Sequence, residues 1–392
     1  MTKKRIGILT GGGDVPPLNA VLAAARRAAA AEGVALVGIL KGWAGALEGD
    51  FVDLSAVPID PAIGGTIIKS SRLNLAKIAD GPARVLENLR TNGIGGLIVV
   101  GGEDTLSTAF LFPSFPRVLI AKTIDNDVGQ WKPAAGAADD EILNHFTLGF
   151  PTAAERISAF VSLKEGLRTT AYSHERLIII ESMGMHAGWL ALASALGHPD
   201  LIILPEFPLD PGPFLDRVLR TYARQKHLLI VVAEGARWRD GSHLHAEQDE
   251  REGYDHPRFG GAARALEERL KRDLARHLPT RNINAVNPSY LYRAGGPNPL
   301  DRRLAEALGE QAVRHLAGRK AEPVFLAVEK SRSGFSVRAH ALADFSGIGD
   351  LHRLVDTRLY DPTEYRATER ALAYLRTIAR EIPFDNAYGI RR

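Results

Sequence analysis

The amino-acid sequence predicts an α/β protein built from two doubly wound, mostly parallel sheets with helices on both faces. Short Val-, Ile- and Leu-rich runs of strand length alternate with Ala-, Leu- and Arg-rich helical stretches from end to end. Several of these strands run straight into unusual polar or glycine-rich turns, the place where an open parallel sheet binds its ligands. The chain has 392 residues, 45% hydrophobic and 24% charged, which suffices for two domains with full cores and a small appendage.

Taken in order, Arg5 to Thr10 follows a short basic start without a long apolar segment or cleavage site, so it reads as a first strand and not a secretion signal. Pro17 to Glu32 is an Ala-rich helix and Val34 to Leu40 the second strand. Leu97 to Val100 and Val118 to Ala121 are apolar strands flanking a helix at Leu106 to Leu111. Pro151 to Ser162, Pro213 to Gln225, Gly261 to His277 and Leu300 to Ala317 have helical composition. Between and after them come strands at Leu177 to Glu181, Leu201 to Leu204, Leu228 to Ala233 and Val324 to Val328. A last helix, from about Thr368 to Arg380, is expected to pack against the body.

Composition excludes several function classes. Forty-nine basic against 46 acidic residues leave a net charge of +3, too small an excess for a nucleic-acid binder. The absence of cysteine removes disulfides, thiolate zinc sites and a cysteine nucleophile. The longest apolar runs fall far short of the roughly 20 residues of a membrane helix, so a cytoplasmic protein with no membrane partner is expected. A Gly-, Ala-, Pro- and Asp-rich stretch between Val128 and Asn144 marks the expected end of the first domain. Arg237 to Phe259, with His243, His245 and His256, reads as a solvated excursion whose histidines lack the partner spacing of a metal site.

Four turns carry chemistry. The first strand ends in Gly11-Gly12-Gly13-Asp14, a backbone able to approach an anion with a helix N-terminus behind it. Alone it fits a tight connection without ligand equally well, and it matches neither the dinucleotide fingerprint nor a P-loop. Gly64-Gly65-Thr66, leading to Lys69 and Arg72, adds hydroxyls and cations suited to phosphate oxygens. Gly101-Gly102-Glu103-Asp104-Thr105 puts adjacent carboxylates on a glycine turn, where they can hold Mg²⁺ or cap a helix. Lys122-Thr123-Ile124-Asp125-Asn126-Asp127, at a strand's carboxyl end, combines a cation, a hydroxyl and two carboxylates. That set suits phosphoryl transfer to a hydroxyl.

In this order, and continuing through Thr147-Leu148-Gly149-Phe150, Ser173-His174-Glu175-Arg176, Met183 to Gly188, Ala233-Glu234-Gly235 and Tyr290 to Gly296, the motifs resemble the phosphofructokinase family from about residue 4 to about residue 320. The resemblance implies an active site in a cleft between the two sheets. It also implies a phosphoryl-donor and Mg²⁺ domain at 1–140 plus roughly 295–320, and a sugar-phosphate domain at 141–294. Residues 321–392 are left as an extension of unassigned role. The implied reaction phosphorylates the C1 hydroxyl of fructose 6-phosphate with Asp125 as the base, assisted by Arg72, Lys122 and Thr123. Donor phosphates would meet Gly12, Gly13, Arg72, Gly102, Glu103, Asp104, Thr105 and Lys122, with Glu103 on the metal. The sugar phosphate would meet Thr123, Asp125, Asp127, Met183, Gly184, Met185, Glu234, Tyr290 and Arg293. It would also meet Arg176 reaching across from a neighbouring subunit, which implies a homodimer or homotetramer.

Two positions bear on the donor. Relatives that use ATP generally have glycine where this chain has Asp104 and Lys122. A carboxylate at the first would repel a nucleotide's α-phosphate, and a lysine at the second suits a pyrophosphate leaving group. Both resemble the pyrophosphate-dependent branch, whose transfer is reversible; ATP is the alternative donor. Departures from the family pattern are Glu103 for an aspartate, Met185 for an arginine, with Lys69 as a replacement cation, and Pro17 for a glycine. Met185 and Glu103 are also the support for a more distant alternative, a non-catalytic sugar-phosphate-binding relative. The 19-residue segment Val128 to Phe146 is longer than relatives need and is expected on the surface.

Overall fold

In the computed structural model, which describes residues 3–132, 141–245, 248–251, 257–258, 261–318 and 321–384, the first stretch of chain forms an alternating series. It comprises β1 (Arg5–Thr10), α1 (Leu18–Ala31), β2 (Ala35–Ile39), α2 (Trp43–Glu48), β3 (Phe51–Asp53), α3 (Gly81–Thr91), β4 (Ile94–Gly101), α4 (Glu103–Ala109) and β5 (Arg117–Thr123). The strands order as β3-β2-β1-β4-β5, and Val324–Ser331 and then Gly334–Ala341 extend the sheet beyond β5. β2, β1, β4, β5 and Val324–Ser331 are parallel, while both edges are antiparallel. The central strands are near-continuous Val, Ile and Leu because helices cover both faces. Opposite α1, the helix Pro299–Ala317 comes so close that a Cβ on Gly309 would lie 2.3 Å from the Val21 carbonyl oxygen.

After β1 the chain crosses to β2 on one side, while β4 lies on the other. Such a switch leaves a crevice at the carboxyl ends of β1 and β4. Three of the turns singled out in the sequence leave from there and from the end of β5; the stretch 64–72 follows β3.

The described residues divide into two units, those within 1–151 and 293–353 together with Arg251 in the first and those within 152–250, 257–292 and 354–384 in the second. The second is built on a four-stranded, wholly parallel sheet ordered Leu201–Ile203, Leu228–Ala233, Leu177–Ser182, Ile283–Val286. Its core is made by the apolar faces of these strands with Phe214, Val218, Leu266 and Leu270 from two helices.

Two expectations are corrected. Residues past 320 are not one extension but are shared between the units. Val324–Ser331 pairs with β5, Phe325 opposite Leu119, because its apolar run suits a buried parallel strand. Residues after 354 lie along Leu201–Ile203, where Ile202 N donates to Tyr365 O (2.7 Å) and Val355 N to Glu206 (3.0 Å). The segment from Val128 to Phe146 is not simply superficial either. Val128, Asn144, His145 and Phe146 are buried, and the Phe146 ring meets Phe335 edge-on at 5.1 Å. The tip of this segment lies outside the described residues, as does His256. Among the described residues no helix is long and apolar enough to cross a membrane.

Candidate active site

The first turn follows from β-sheet pairing. Gly11 N donates to Val100 O (3.0 Å), drawing the end of β1 against β4. Gly12 then adopts φ +77°, a left-handed conformation that glycine takes at little cost. Its N–H donates to Ser71 O (3.0 Å) and its carbonyl accepts from Ser70 Oγ (2.6 Å). Thr10 Oγ1 bonds to Thr66 Oγ1 (3.0 Å) and donates to Lys69 O (2.9 Å). The first two turns predicted from sequence are therefore stitched together, and Arg72 is delivered beside Gly13. The Lys69 side chain is exposed.

α4 is held from below by Trp43, whose buried indole N–H donates to Thr105 O (3.0 Å). Glu103 and Asp104 occupy its first turn, where carboxylates suit the helix dipole. Trp43→Phe should lower stability by about 1 kcal/mol through loss of this hydrogen bond; a urea melt showing no change would contradict that role.

Three cations gather at the Gly12-Gly13 backbone. Lys122, at the end of β5, is buried and its ammonium donates to Gly13 O. Arg293 pairs with Asp14 (3.2 Å) and, with Arg72, flanks Gly13. Burial first, then Arg293 and Arg72, push Lys122 down to about 7 against the pull of Asp14 and Asp125. Arg293, expected at a sugar phosphate, thus lies in the first unit beside Gly13 and Asp14.

Beyond Lys122 the chain turns through Asn126, at φ +54°. Asp125 N donates to Thr123 Oγ1 (3.1 Å), and Thr147 closes the turn from outside, through its Oγ1 to Thr123 O (2.6 Å) and its N–H to Asn126 Oδ1 (3.1 Å). Oδ1 of Asp125 and Oδ1 of Asp127 are shielded from solvent without a hydrogen-bond partner among the described residues. Burial raises the Asp125 carboxyl above the usual carboxylate range. Burial, then the charges of Asp125 and Glu103, push Asp127 up to about 7.

Two residues here carried no sequence signal. His352 Nδ1 lies 3.4 Å from Glu103 Oε2, and Arg353 is buried against the Asp125–Asp127 turn. Both come from the part of the chain past 320, more than 200 residues downstream in sequence, and no motif marks them.

In the second unit, adjacent strand ends bring together residues distant in sequence. Glu234 N donates to Ser182 O (2.9 Å), Gly184 N to Glu234 Oε1 (3.2 Å) and Gly235 N to Gly184 O (3.1 Å). Gly184 has φ +132°, so the Met183-Gly184-Met185 loop can fold back onto Glu234. Tyr290 is 60% exposed, while its neighbour Tyr292 is buried with its hydroxyl donating to Glu181 O (2.8 Å). Arg176 donates through Nη1 to Thr170 Oγ1 (2.5 Å).

Residues 5–316 match the family profile described as Phosphofructokinase. The chain belongs to the phosphofructokinase family. A pyrophosphate–fructose 6-phosphate 1-phosphotransferase of Dictyoglomus thermophilum is 36% identical over 319 residues, covering 80% of this chain and 86% of the relative. An ATP-dependent 6-phosphofructokinase 3 of Streptomyces coelicolor is 35% identical over 316 residues, covering 79% and 86%. A solved pyrophosphate-dependent phosphofructokinase from Nitrosospira multiformis shares the fold with a TM-score of 0.77 at 21% identity, over 99% of this chain and 95% of that one. In this phosphofructokinase the profile ends at residue 316, so His352 and Arg353 lie beyond it.

Proposed function

We propose that this phosphofructokinase transfers a phosphoryl group reversibly between pyrophosphate and the C1 hydroxyl of fructose 6-phosphate. In the forward step the hydroxyl oxygen bonds to one phosphorus while the bridging P–O bond breaks. The hydroxyl proton passes to Asp125 and orthophosphate leaves. A base whose carboxyl is raised by burial is better matched to neutral pH than an exposed aspartate. Arg72, Lys122 and Arg293 would offset charge on the phosphates. Thr123 and Asp127, with Met183, Gly184, Met185, Glu234, Tyr290 and a neighbouring subunit's counterpart of Arg176, would hold the sugar phosphate.

Lys122 carries the choice of donor. Its buried ammonium lies against Gly13 O, a compact charge suited to a two-phosphate donor. Asp104 adds a carboxylate that would repel a nucleotide's α-phosphate. The second reading, ATP as donor, is favoured by relatives named as ATP-dependent at nearly the same identity. Fructose 1,6-bisphosphate formation is to be followed with each donor and Mg²⁺, and orthophosphate-dependent reversal measured alongside. Turnover with pyrophosphate at least tenfold above ATP is expected; turnover with ATP alone would overturn the assignment.

A divalent cation fits the acidic residues. Asp127 combines a shielded, unpartnered oxygen with nearby negative charge. Mg²⁺ takes one or two carboxylates and otherwise water and phosphate oxygens. Glu103, with Asp127 nearby, would hold it, and when bound it would supply charge neutralisation for the donor phosphates.

A further inference from the structure

We infer that Arg353, outside the residues matched by the family profile, is a positioning residue that sets the catalytic turn. The inference rests on the reading of Asp125 as the base. The Asp125–Asp127 turn is under load. It carries a left-handed, non-glycine residue at Asn126, between two carboxylates that each keep a shielded oxygen without a hydrogen-bond partner among the described residues. Such a conformation persists only where surrounding structure fixes it.

Arg353 supplies that fixing from the far end of the sequence. Its Nε and Nη2 donate to Asn126 O (3.2 and 2.9 Å), and Nη2 also donates to Asn126 Oδ1 (2.7 Å). Nη1 donates to Asn144 O (3.1 Å) and His145 O (3.3 Å) on the segment returning from Val128. The Arg353 main-chain N–H donates to Asp127 O (2.8 Å), and Gly129 N donates back to Leu351 O (2.5 Å). One planar fork thus holds the peptide between the two carboxylates and ties it to the strand end behind. These hydrogen bonds reach amide and carbonyl oxygens, so the guanidinium orients the carboxylates through the backbone. Lysine keeps the charge but cannot reproduce the fork.

The test uses the full chain with fructose 6-phosphate and whichever donor supports turnover. Arg353→Lys and Arg353→Met are made in the natural sequence and in an Asp125→Asn background, with Tm, kcat and the sugar KM measured for each. Arg353→Lys should lower kcat about 30-fold and leave the sugar KM within threefold. It should cost markedly less in the Asp125→Asn background, where no base remains to be misaimed and only Asp127 is left to shift. A folded Arg353→Lys enzyme within threefold of the natural kcat, or an equal loss in both backgrounds, would overturn the inference. Failure of both variants to fold would assign Arg353 to stability alone and overturn it too. If Asp125→Asn itself keeps turnover within tenfold, the base assignment falls and the positioning role falls with it. An inactive Asp125→Asn beside a fully active Arg353→Lys rejects the positioning role alone.

Discussion

Asp125→Asn should lower turnover by about 10²- to 10⁴-fold, the range a positioned general base contributes, with sugar-phosphate affinity changed only a few-fold. Asn fills the same space and keeps the backbone that bonds to Thr123 Oγ1, but it cannot accept the hydroxyl proton. The measurement pairs a coupled assay of fructose 1,6-bisphosphate with calorimetric binding of fructose 6-phosphate. Parallel loss of binding and rate would mean that Asp125 holds the sugar instead of activating it. An unchanged rate would remove the base from this position altogether.

Asp127→Asn should move activity and stability in opposite directions. The native carboxyl is pushed up to about 7 from an ordinary value of 3.8. Between those two pH values the folded chain holds a proton that the unfolded chain has lost. The stability this provides is fully present below about 4 and disappears as pH rises through 7, where the charged form is penalised. Asn has no such proton. In chelator-treated protein the substitution should therefore stabilise on the order of 2 kcal/mol at pH 8 and little at pH 4, flattening the fall of Tm across that interval. Turnover should drop, because the same carboxylate is proposed to hold the sugar and to stand beside the cation. A Tm that falls equally at both pH values would show that the carboxylate is structural.

Much of the fold is legible in sequence because buried parallel strands are written as short apolar runs. Arg5 to Thr10, Leu177 to Glu181 and Leu228 to Ala233 all emerge within a residue of the strands observed. Among the elements missed, two lack such a signal. α3 buries only Gly81, Val85 and Leu89 of its length, and Gly334–Ala341 is an edge strand with much of its surface exposed, held by its partner and not by an apolar pattern. The candidate site divides in the same way. Gly12, Gly13, Lys122, Asp125 and Asp127 lie in compact turns whose residue types announce phosphate and proton chemistry. His352 and Arg353 belong to no motif, and Arg353's hydrogen bonds to carbonyl oxygens leave no mark on the sequence of their acceptors.

The sequence by itself pointed to the α/β class, through its alternating apolar and helical runs, and to the phosphofructokinase family, through the resemblance of its ordered motifs, which the family profile bears out. Only the tertiary structure decided that the stretch past residue 320 is shared between two units, that Arg293 stands beside Asp14 and Gly13, and that Arg353 braces Asn126. It also decided the proton affinities of Lys122 and Asp127. Those depend on burial and on charges brought together from remote segments, quantities that exist only once the chain has folded.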